Sequence, residues 1–341
     1  MEFKFILGID ISKGWFNYCL MSTTFEIIEE GKTDNHPDAI FQFISKLLEK
    51  QIITGIEDIL LVMEHTGIYV QHLAKGWLSK SGLLSIVPAV KVSDYLGGQL
   101  GWEEKTDELD ARRLAEYGVR FSDKIELWQA KSYTLELLQR LHRQRSRFID
   151  VINILKVPLK ESHEFDSIAV SENMRENQAT SMDALKSDLK KLEKQIQELI
   201  ENDPLLKQLF QLITSVEGVG PVTAREIIIA TCAFTKFTPE QAKSFARYAG
   251  VVTRKKSSGK MRKRDRVPSR ANKKIKTVLT MGATSMIGTT SDLGKFYERK
   301  IEEGKAHFSV INAMRNKLIL RIFAVVRNQV MYDKNLNLNI D

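Results

Sequence analysis

Two carboxylates three residues apart stand out in the polar stretch KTDELDARRLAEYG, residues 105–118. On a helix, Asp107 and Asp110 would lie on one face, one turn apart. Two like charges this close repel each other unless a cation or a proton lies between them. Such a pair is typical of an oxygen-ligand site for a hard divalent ion. The alternative is a solvated helix N-terminus, where the helix dipole favours acidic side chains.

Two further carboxylates stand where apolar runs end. Asp10 closes FKFILGID, and Glu64 follows DILLVM. Each alone could be a turn residue or a surface acid, but strand ends in an open sheet face a common crevice. Together with the helical pair they could hold two Mg²⁺ ions about 4 Å apart, an arrangement that acts on phosphodiesters. His65 could be a base, a metal ligand or an ordinary hydrogen-bonded residue.

The elements that must position these acids follow from the pattern of apolar residues. Alternating and apolar runs predict three antiparallel strands, then a helix beginning at Pro37, a buried strand, a helix, a strand and the carboxylate helix. The predicted strands span 3–11, 15–21, 25–30, 58–63 and 83–87, and the second helix spans 69–78. This is the order of the ribonuclease H-like fold, an α/β architecture.

Composition indicates a soluble globular protein of two or three domains, with 341 residues, 43% apolar and 28% charged. We interpret Cys19 and Cys232 as reduced core thiols of a cytoplasmic protein, because they fit no ligand spacing. The sequence shows neither an apolar run of membrane-spanning length nor a signal peptide, so no membrane partner is expected.

The net charge of +8 is concentrated in residues 253–276, where twelve Lys or Arg stand against one acid, Asp265. This segment carries +11, so the rest of the chain sums to −3. Such a patch predicts a polyanionic partner, most simply nucleic acid, although a solvated basic loop is the alternative. The predicted nucleic-acid contacts are Arg254, Lys255, Lys256, Lys260, Arg262, Lys263, Arg264, Arg266, Arg270 and Lys273. A second basic cluster, Arg315 and Lys317, could touch backbone phosphates.

A long helical arm is predicted between the two ends of the chain. Residues 133–159 have an apolar helical face, 160–180 form a polar interruption, and leucine or isoleucine at 185, 189, 192, 196 and 199 repeat as a heptad seam. The pattern indicates an antiparallel coiled-coil hairpin, with an intramolecular bundle helix as the alternative.

Two motifs follow the arm. SVEGVGPVTA, after a helix over 205–213, is typical of a helix-hairpin-helix in which Gly218 and Gly220 let backbone N–H groups hold a phosphate; a glycine-containing helix corner is the alternative. Further on, Ser257 and Ser258 precede Gly259 in a flexible cationic loop. Surrounding cations can activate a serine hydroxyl for attack on a phosphate, but an ordinary turn serine has the same local sequence. Helices are predicted over 275–286 and 308–331.

Taken in order, GIDI, MEHTG, KTDELDARRLAEY, SVEGVGPVTA, FARYAGVV–SSGK and AMRNKL resemble the DEDD transposases. This family includes Piv-type DNA invertases and insertion-sequence recombinases guided by a bridge RNA. The resemblance implies a RuvC-like domain over 1–130, a coiled-coil arm over 131–203 and a mainly helical C-terminal transposase domain over 204–341. It also implies a bacterial cytoplasmic, nucleoid-associated protein.

The resemblance further assigns the site residues. Its catalytic, metal-binding tetrad falls on Asp10, Glu64, Asp107 and Asp110, and its nucleophilic serine on Ser258, directly before Gly259. It implies Mg²⁺, donor and target DNA, a guide RNA and a homo-oligomer, either a dimer or a tetramer, in which the acids and the serine come from different subunits. Two other functions stay open: a metal-only nuclease of the Holliday-junction-resolvase kind, and a non-catalytic nucleic-acid-binding scaffold.

Overall fold

The computed structural model describes residues 3–88, 91–92, 106–252, 254–258, 261–266 and 271–333, with only the backbone at 254–258 and 261–266. The chain divides into two compact units, Met1–Ala130 and Lys131–Asp341. The three-domain division predicted from the sequence, at 130 and 203, stays a prediction.

A five-stranded mixed sheet forms the first unit, in the order β3-β2-β1-β4-β5. The meander β1–β2–β3 is antiparallel, whereas β4 is parallel to both β1 and β5. This mixed sheet confirms the predicted α/β class and is compatible with a ribonuclease H-like domain. The strands are β1 (Phe5–Ile11), β2 (Trp15–Ser22), β3 (Ile27–Asp34), β4 (Ile59–Glu64) and β5 (Leu83–Val87).

Helices cover both faces of this sheet. Helices α1 (Pro37–Leu48) and α2 (Gln71–Ser79) pack on one face, around residues such as Phe16 and Trp77. Helix α3 (Asp107–Arg120) packs on the other face. Because side chains alternate along a strand, β1 sends Leu7 to the first cluster and Ile6 to the second. Both faces being buried, β1 has the near-continuous apolar sequence of a central strand.

The second unit is mostly helical, as predicted. Its apolar core lies around the helix His307–Asn328, where Leu318 and Ile322 are fully buried. A two-stranded antiparallel hairpin, β6 (Arg254–Ser258) and β7 (Met261–Arg266), interrupts the helices. The helices are α4 (Tyr133–Phe165), α5 (Ile168–Asn202), α6 (Pro204–Thr214), α7 (Pro221–Thr231), α8 (Ala242–Tyr248), α9 (Lys273–Ser285), α10 (Asp292–Glu302) and α11 (His307–Asn328).

The arm is a helical hairpin, but its predicted polar interruption is wrong. Residues 160–180 are helical except at the break between α4 and α5, at Asp166 and Ser167. A two-helix hairpin buries only one stripe of each helix, so polar residues can continue a helix with no core behind them. The heptad seam faces inward, with Leu192 and Ile196 buried. A coiled coil between subunits is not established by this packing.

Three other expectations differ from the structure. The third strand spans 27–34 rather than 25–30, because Phe25 lies in the β2–β3 turn with φ +67° and the polar residues after it pair with β2 through their backbones. The prediction of a flexible cationic loop is wrong at 254–258 and 261–266, where the backbone forms the β6–β7 hairpin. Helix α10 was not predicted, although Ser291 caps its first turn.

Within the described residues, no helix has the length and apolarity needed to cross a bilayer.

Candidate acidic active site

Asp10 and Glu64 stand at the same end of neighbouring parallel strands. Ile9 of β1 is in register with Met63 of β4, so the next residue on each strand is an acid. Alternation puts Asp10 on the face of Ile6 and Glu64 on the face of Val62, and both of these apolar residues pack against α3. Both acids are partly buried. The sheet therefore places this predicted pair side by side, on the face that α3 covers.

Helix α3 approaches β1 so closely that position 8 must be glycine. A Cβ on Gly8 would lie 2.2 Å from the carbonyl oxygen of Ala111 and 2.3 Å from the backbone nitrogen of Ala115. Gly118, further along the helix, lies against Ile6. The helix thus runs antiparallel to β1, and its first turn, with Asp107 and Asp110, lies at the end of β1 that carries Asp10.

Capping and an ion pair fix the beginning of α3. The Thr106 hydroxyl accepts the N–H of Leu109 at 3.3 Å. Arg112 donates from Nε and Nη2 to the two carboxylate oxygens of Glu30, at 2.9 and 2.7 Å. Hydrogen bonding to Arg112 lowers the pKa of Glu30, and the same contact raises the pKa of Arg112. Burial, with Glu30 nearby, raises the pKa of Cys19 to about 12, so this free thiol stays neutral.

The four predicted ligands share a location without forming a closed metal site. Asp110 forms an ion pair with Arg113 at 3.1 Å, and Asp107 is exposed. Among the described residues, no group of three or more His, Cys, Asp or Glu is arranged to hold a metal ion. The donor type fits Mg²⁺, which prefers carboxylate oxygens and water. The placement fits as well, but the side chains would have to turn towards one another to bind a common ion.

Asn35 organises the loops around this end of the sheet, and the sequence did not single it out. Its Nδ2 donates to the carbonyl oxygens of Ser12 at 2.9 Å and Tyr69 at 3.0 Å, and its backbone N–H donates to Gly14. One buried side chain thereby connects the turn after Asp10 with the loop after Glu64. Both partners are backbone carbonyls, which every residue type has. The contact therefore could not be predicted from the sequence.

His65 has a local structural role in this conformation. Its backbone N–H donates to Val87, extending the pairing of β4 with β5, and its exposed ring accepts the Gly67 N–H at 3.4 Å. Gly67 has φ +77°, a conformation that favours glycine. Of the alternatives open for His65, the hydrogen-bonded turn residue is the one that these contacts support.

In the second unit, the two glycines of the predicted hairpin differ. Gly218 has φ +82° and packs against α9: a Cβ on Gly282 would lie 2.3 Å from the Gly218 carbonyl oxygen. Gly220 is exposed, with open space beside it, at the N-cap of α7. Packing explains Gly218. A phosphate contact stays a prediction for both, and the helix-hairpin-helix assignment is not established.

Most of the predicted basic and nucleophilic side chains lie outside the described residues. Ser258 is the last residue of β6, in register with Met261, and only its backbone is described. The same holds for Ser257. Lys273 is exposed in the first turn of α9. Lys260 and Arg270 lie outside the described residues, and only the backbone is described for Arg254, Lys255, Lys256, Arg262, Lys263, Arg264 and Arg266.

The predicted phosphate contact of the second basic cluster is wrong for Arg315. It is only 8% exposed, and its Nε donates to the Thr280 hydroxyl at 3.1 Å. Burial lowers its pKa. This guanidinium joins α11 to α9 and is not positioned to meet a phosphate, whereas Lys317 is exposed, with Nζ 5.0 Å from the Phe296 ring centroid.

A mixed α/β domain with acids at adjacent strand ends and on the covering helix is compatible with the DEDD class of nuclease-like domains. Comparison with known families agrees: residues 7–161 match the DEDD transposase model of the IS110 group, and residues 210–298 match the model described as transposase IS116/IS110/IS902 family. The chain belongs to the DEDD transposase family and is a DNA transposase or recombinase.

Two relatives match almost the whole chain, and a third matches about half of it. The pilin gene-inverting proteins of Moraxella bovis and Moraxella lacunata are each 27% identical over 98% of this chain and 99% of their own length. A 43.6 kDa protein of insertion element IS110 from Streptomyces coelicolor is 26% identical over 48% of this chain and 39% of its own length. The similarity to the pilin gene-inverting proteins therefore includes both units.

Proposed function

We propose that Asp10, Glu64, Asp107 and Asp110 form the metal-dependent site with which this recombinase acts on a DNA phosphodiester. The observation that carries the proposal is the placement of all four acids at one end of the sheet, two on adjacent strand ends and two on the first turn of α3. Two Mg²⁺ ions bound there would stabilise the attacking and leaving oxygens of the reaction. The family implies acidic, metal-dependent catalysis.

The residues around the acids have a positioning role in this proposal. Arg112 holds the first half of α3 on β3, and Gly8 lets the helix lie against β1. Arg113 neutralises Asp110 in the conformation seen. If Asp110 bound a metal ion, it would give up its ion pair with Arg113. The Arg113 guanidinium would then be available to a DNA phosphate.

Neighbouring acids on α3 provide a matched test of this site. Asp107→Asn should reduce strand cleavage by at least about 10³-fold in Mg²⁺, because it removes a charged ligand. Glu108→Gln makes the same chemical change one residue away, on an exposed side chain outside the tetrad, and should leave cleavage unaltered. Near-normal cleavage by the Asp107 variant, or an equal loss in both variants, would contradict the proposal.

The nucleophile in this mechanism is Ser258. Its Oγ would lose its proton and attack the phosphorus, forming a Ser–O–P bond as the P–O bond to one deoxyribose breaks. That deoxyribose oxygen takes up a proton and leaves as a hydroxyl, so one phosphodiester bond replaces another and its energy is kept for rejoining. The family resemblance and the surrounding cations support this role. The resemblance also supports a dimer or tetramer in which the acids and the serine come from different subunits.

Denaturing electrophoresis of labelled DNA tests the covalent step. Wild-type protein should form a DNA adduct whose linked peptide contains Ser258, and Ser258→Ala should bind DNA without forming it. Ser257→Ala is the matched control and should form the adduct. An adduct mapped to Ser257 would show that Ser257, and not Ser258, is the nucleophile. Recombination without any adduct would favour the metal-only nuclease.

The polyanion held by the basic segment 253–276 would include a guide RNA as well as donor and target DNA. Family membership and the +11 charge support this part of the proposal. Protein purified from cells that carry the flanking element DNA should retain an RNA encoded beside the gene, released at high salt. Recombination that is undiminished after ribonuclease treatment would contradict RNA guidance.

A further inference from the structure

An exposed aromatic side chain with a cation above it lies at the acidic end of the sheet. Trp15, the first residue of β2, is 42% exposed. The Lys32 Nζ lies 4.1 Å from the centroid of the indole ring. A lysine ammonium is attracted to the face of an indole ring, and the exposed part of the ring is left available to a ligand. Neither side chain has a part in the packing of the sheet core.

Strand register connects this pair to the acids. Asp10 of β1 is opposite Asn17 of β2, and Asn17 is opposite Lys32 of β3, so these three residues form one row across the sheet. With neighbouring strands about 4.8 Å apart, the backbones of Asp10 and Lys32 are separated by about 10 Å. Trp15 is two residues before Asn17 and therefore shares its face.

Helix α3 confirms which face this is. The next row across the sheet contains Gly8, Cys19 and Glu30. Gly8 touches α3, and Glu30 binds Arg112 of α3. The face of Trp15 and Lys32 is thus the face of the tetrad, on the side of the site towards the edge strand β3. The turn between β1 and β2 adds the exposed Lys13, while Asp34 is opposite Trp15.

Resting on the proposed function of the acidic site, we propose that Trp15 and Lys32 form a binding subsite for one unpaired nucleotide next to the scissile phosphate. The base stacks on the exposed part of the indole, and the Lys32 ammonium pairs with the phosphate of that nucleotide. Stacking on a side chain requires a base that has left the duplex, so the subsite selects DNA that is opened beside the cleaved bond.

Donor DNA carrying 2-aminopurine at one position at a time tests the subsite, with full-length protein that retains its co-purified RNA and no added metal. Wild-type protein should quench the probe most strongly at one position, next to the bond cleaved when Mg²⁺ is supplied. Trp15→Leu should lose that quenching and bind about ten-fold more weakly. Trp15→Phe keeps a ring and should restore most of both. With Mg²⁺, the larger change in Trp15→Leu should be in KM rather than in kcat.

The control is a similar pair on the opposite face. Lys80 lies above Phe41 of α1, whose side chain is 60% exposed, with Nζ 5.6 Å from the ring centroid. Phe41→Leu should bind and quench as the wild type does. Lys32→Gln should keep the quenching but lower the slope of log affinity against log salt by about 1.

Wild-type quenching and affinity in Trp15→Leu would overturn the subsite, as would a Trp15→Leu protein that binds no more weakly than Phe41→Leu. If Trp15→Leu unfolds, an unchanged salt slope in Lys32→Gln would overturn it instead. Failure of the acidic site would look different, because Asp107→Asn would then cleave normally whatever the stacking signal. A quenched position remote from the cleaved bond would also contradict the placement beside the tetrad.

Discussion

Gly8 sets the distance between α3 and β1, and through it the position of two of the four acids. A methyl group there would meet backbone atoms of Ala111 and Ala115 at 2.2 and 2.3 Å. Backbone cannot rotate away as a side chain can, so the helix as a whole would have to move. The geometry of Asp107 and Asp110 depends on this one missing side chain.

Gly8→Ala should therefore destabilise the first unit by about 1–3 kcal/mol, because it overpacks a close contact. Cleavage should fall further than the loss of folded protein explains, since a small shift of α3 misplaces its acids. Gly14→Ala makes the same change where nothing lies within 4 Å of the new Cβ and should be nearly silent. Thermal unfolding and DNA cleavage of both variants would decide this, and a Gly8→Ala protein with normal activity would contradict the contact.

At the scale of elements, α3 is joined to the edge strand by the Arg112–Glu30 pair. Both side chains are partly exposed, with 39% and 28% of their surface accessible. Exposed pairs contribute little to stability, about 1 kcal/mol or less. The role of this pair is then chiefly one of position, because it fixes the helix that carries Asp107 and Asp110.

Reversal of the pair tests this role. Arg112→Glu alone would put two carboxylates together and should reduce cleavage strongly with only a modest loss of stability. Adding Glu30→Arg should restore part of the activity, since the charges again attract. Full activity in the single variant, or no recovery in the double variant, would show that the ion pair does not position α3.

The arm presents different surfaces along its length. Its seam is covered within the chain, with Leu192 4% and Ile196 0% exposed, whereas Phe165 and Ile168 beside its turn are 85% and 77% exposed. At the base, the arm is joined to α7 by polar contacts: His142 Nε2 and Glu226 are 2.6 Å apart, and Arg225 donates to Glu193 at 2.7 Å. Any contact between subunits through the arm should therefore use its exposed far end rather than the seam.

Substitutions can distinguish the roles of the buried seam and of the exposed far end of the arm. Leu192→Asp should unfold the hairpin, because it buries a charge without a partner. Phe165→Ser with Ile168→Ser should leave the helices intact and reduce the oligomer seen by sedimentation velocity with nucleic acid bound. Leu205→Ser, at a 53% exposed apolar residue of α6, is the control. An undiminished oligomer in the double variant would place the interface elsewhere.

For the molecule as a whole, the sequence predicted what regular patterns encode. The apolar strands ending in Asp10 and Glu64, and the spacing of Asp107 and Asp110, predicted their elements and the five-stranded sheet. The charge of 253–276 indicated a polyanionic partner, but the β6–β7 pairing has no apolar alternation to predict it.

What the sequence did not predict depends on contacts between distant residues. Asn35 holds backbone carbonyls 23 and 34 residues away in the chain, and Arg112 meets Glu30 across 82 residues. Arg315 looked like a surface cation until its burial between helices was known. Such pairings leave no periodic trace, since neither partner's position follows from the spacing of the other.

We propose that acids from β1, β4 and α3 surround one metal site, and metal-directed cleavage of the backbone tests this most directly. Fe²⁺ substituted for Mg²⁺, with ascorbate and peroxide, generates hydroxyl radicals that cut the nearest backbone. The cut sites can be mapped by mass spectrometry. We predict cuts at three separate segments, near Asp10, near Glu64 and at residues 106–111. All three should be suppressed together by excess Mg²⁺ and by Asp10→Asn, but not by Asp38→Asn on α1. Cuts confined to one segment, or an unchanged pattern in Asp10→Asn, would contradict a shared site.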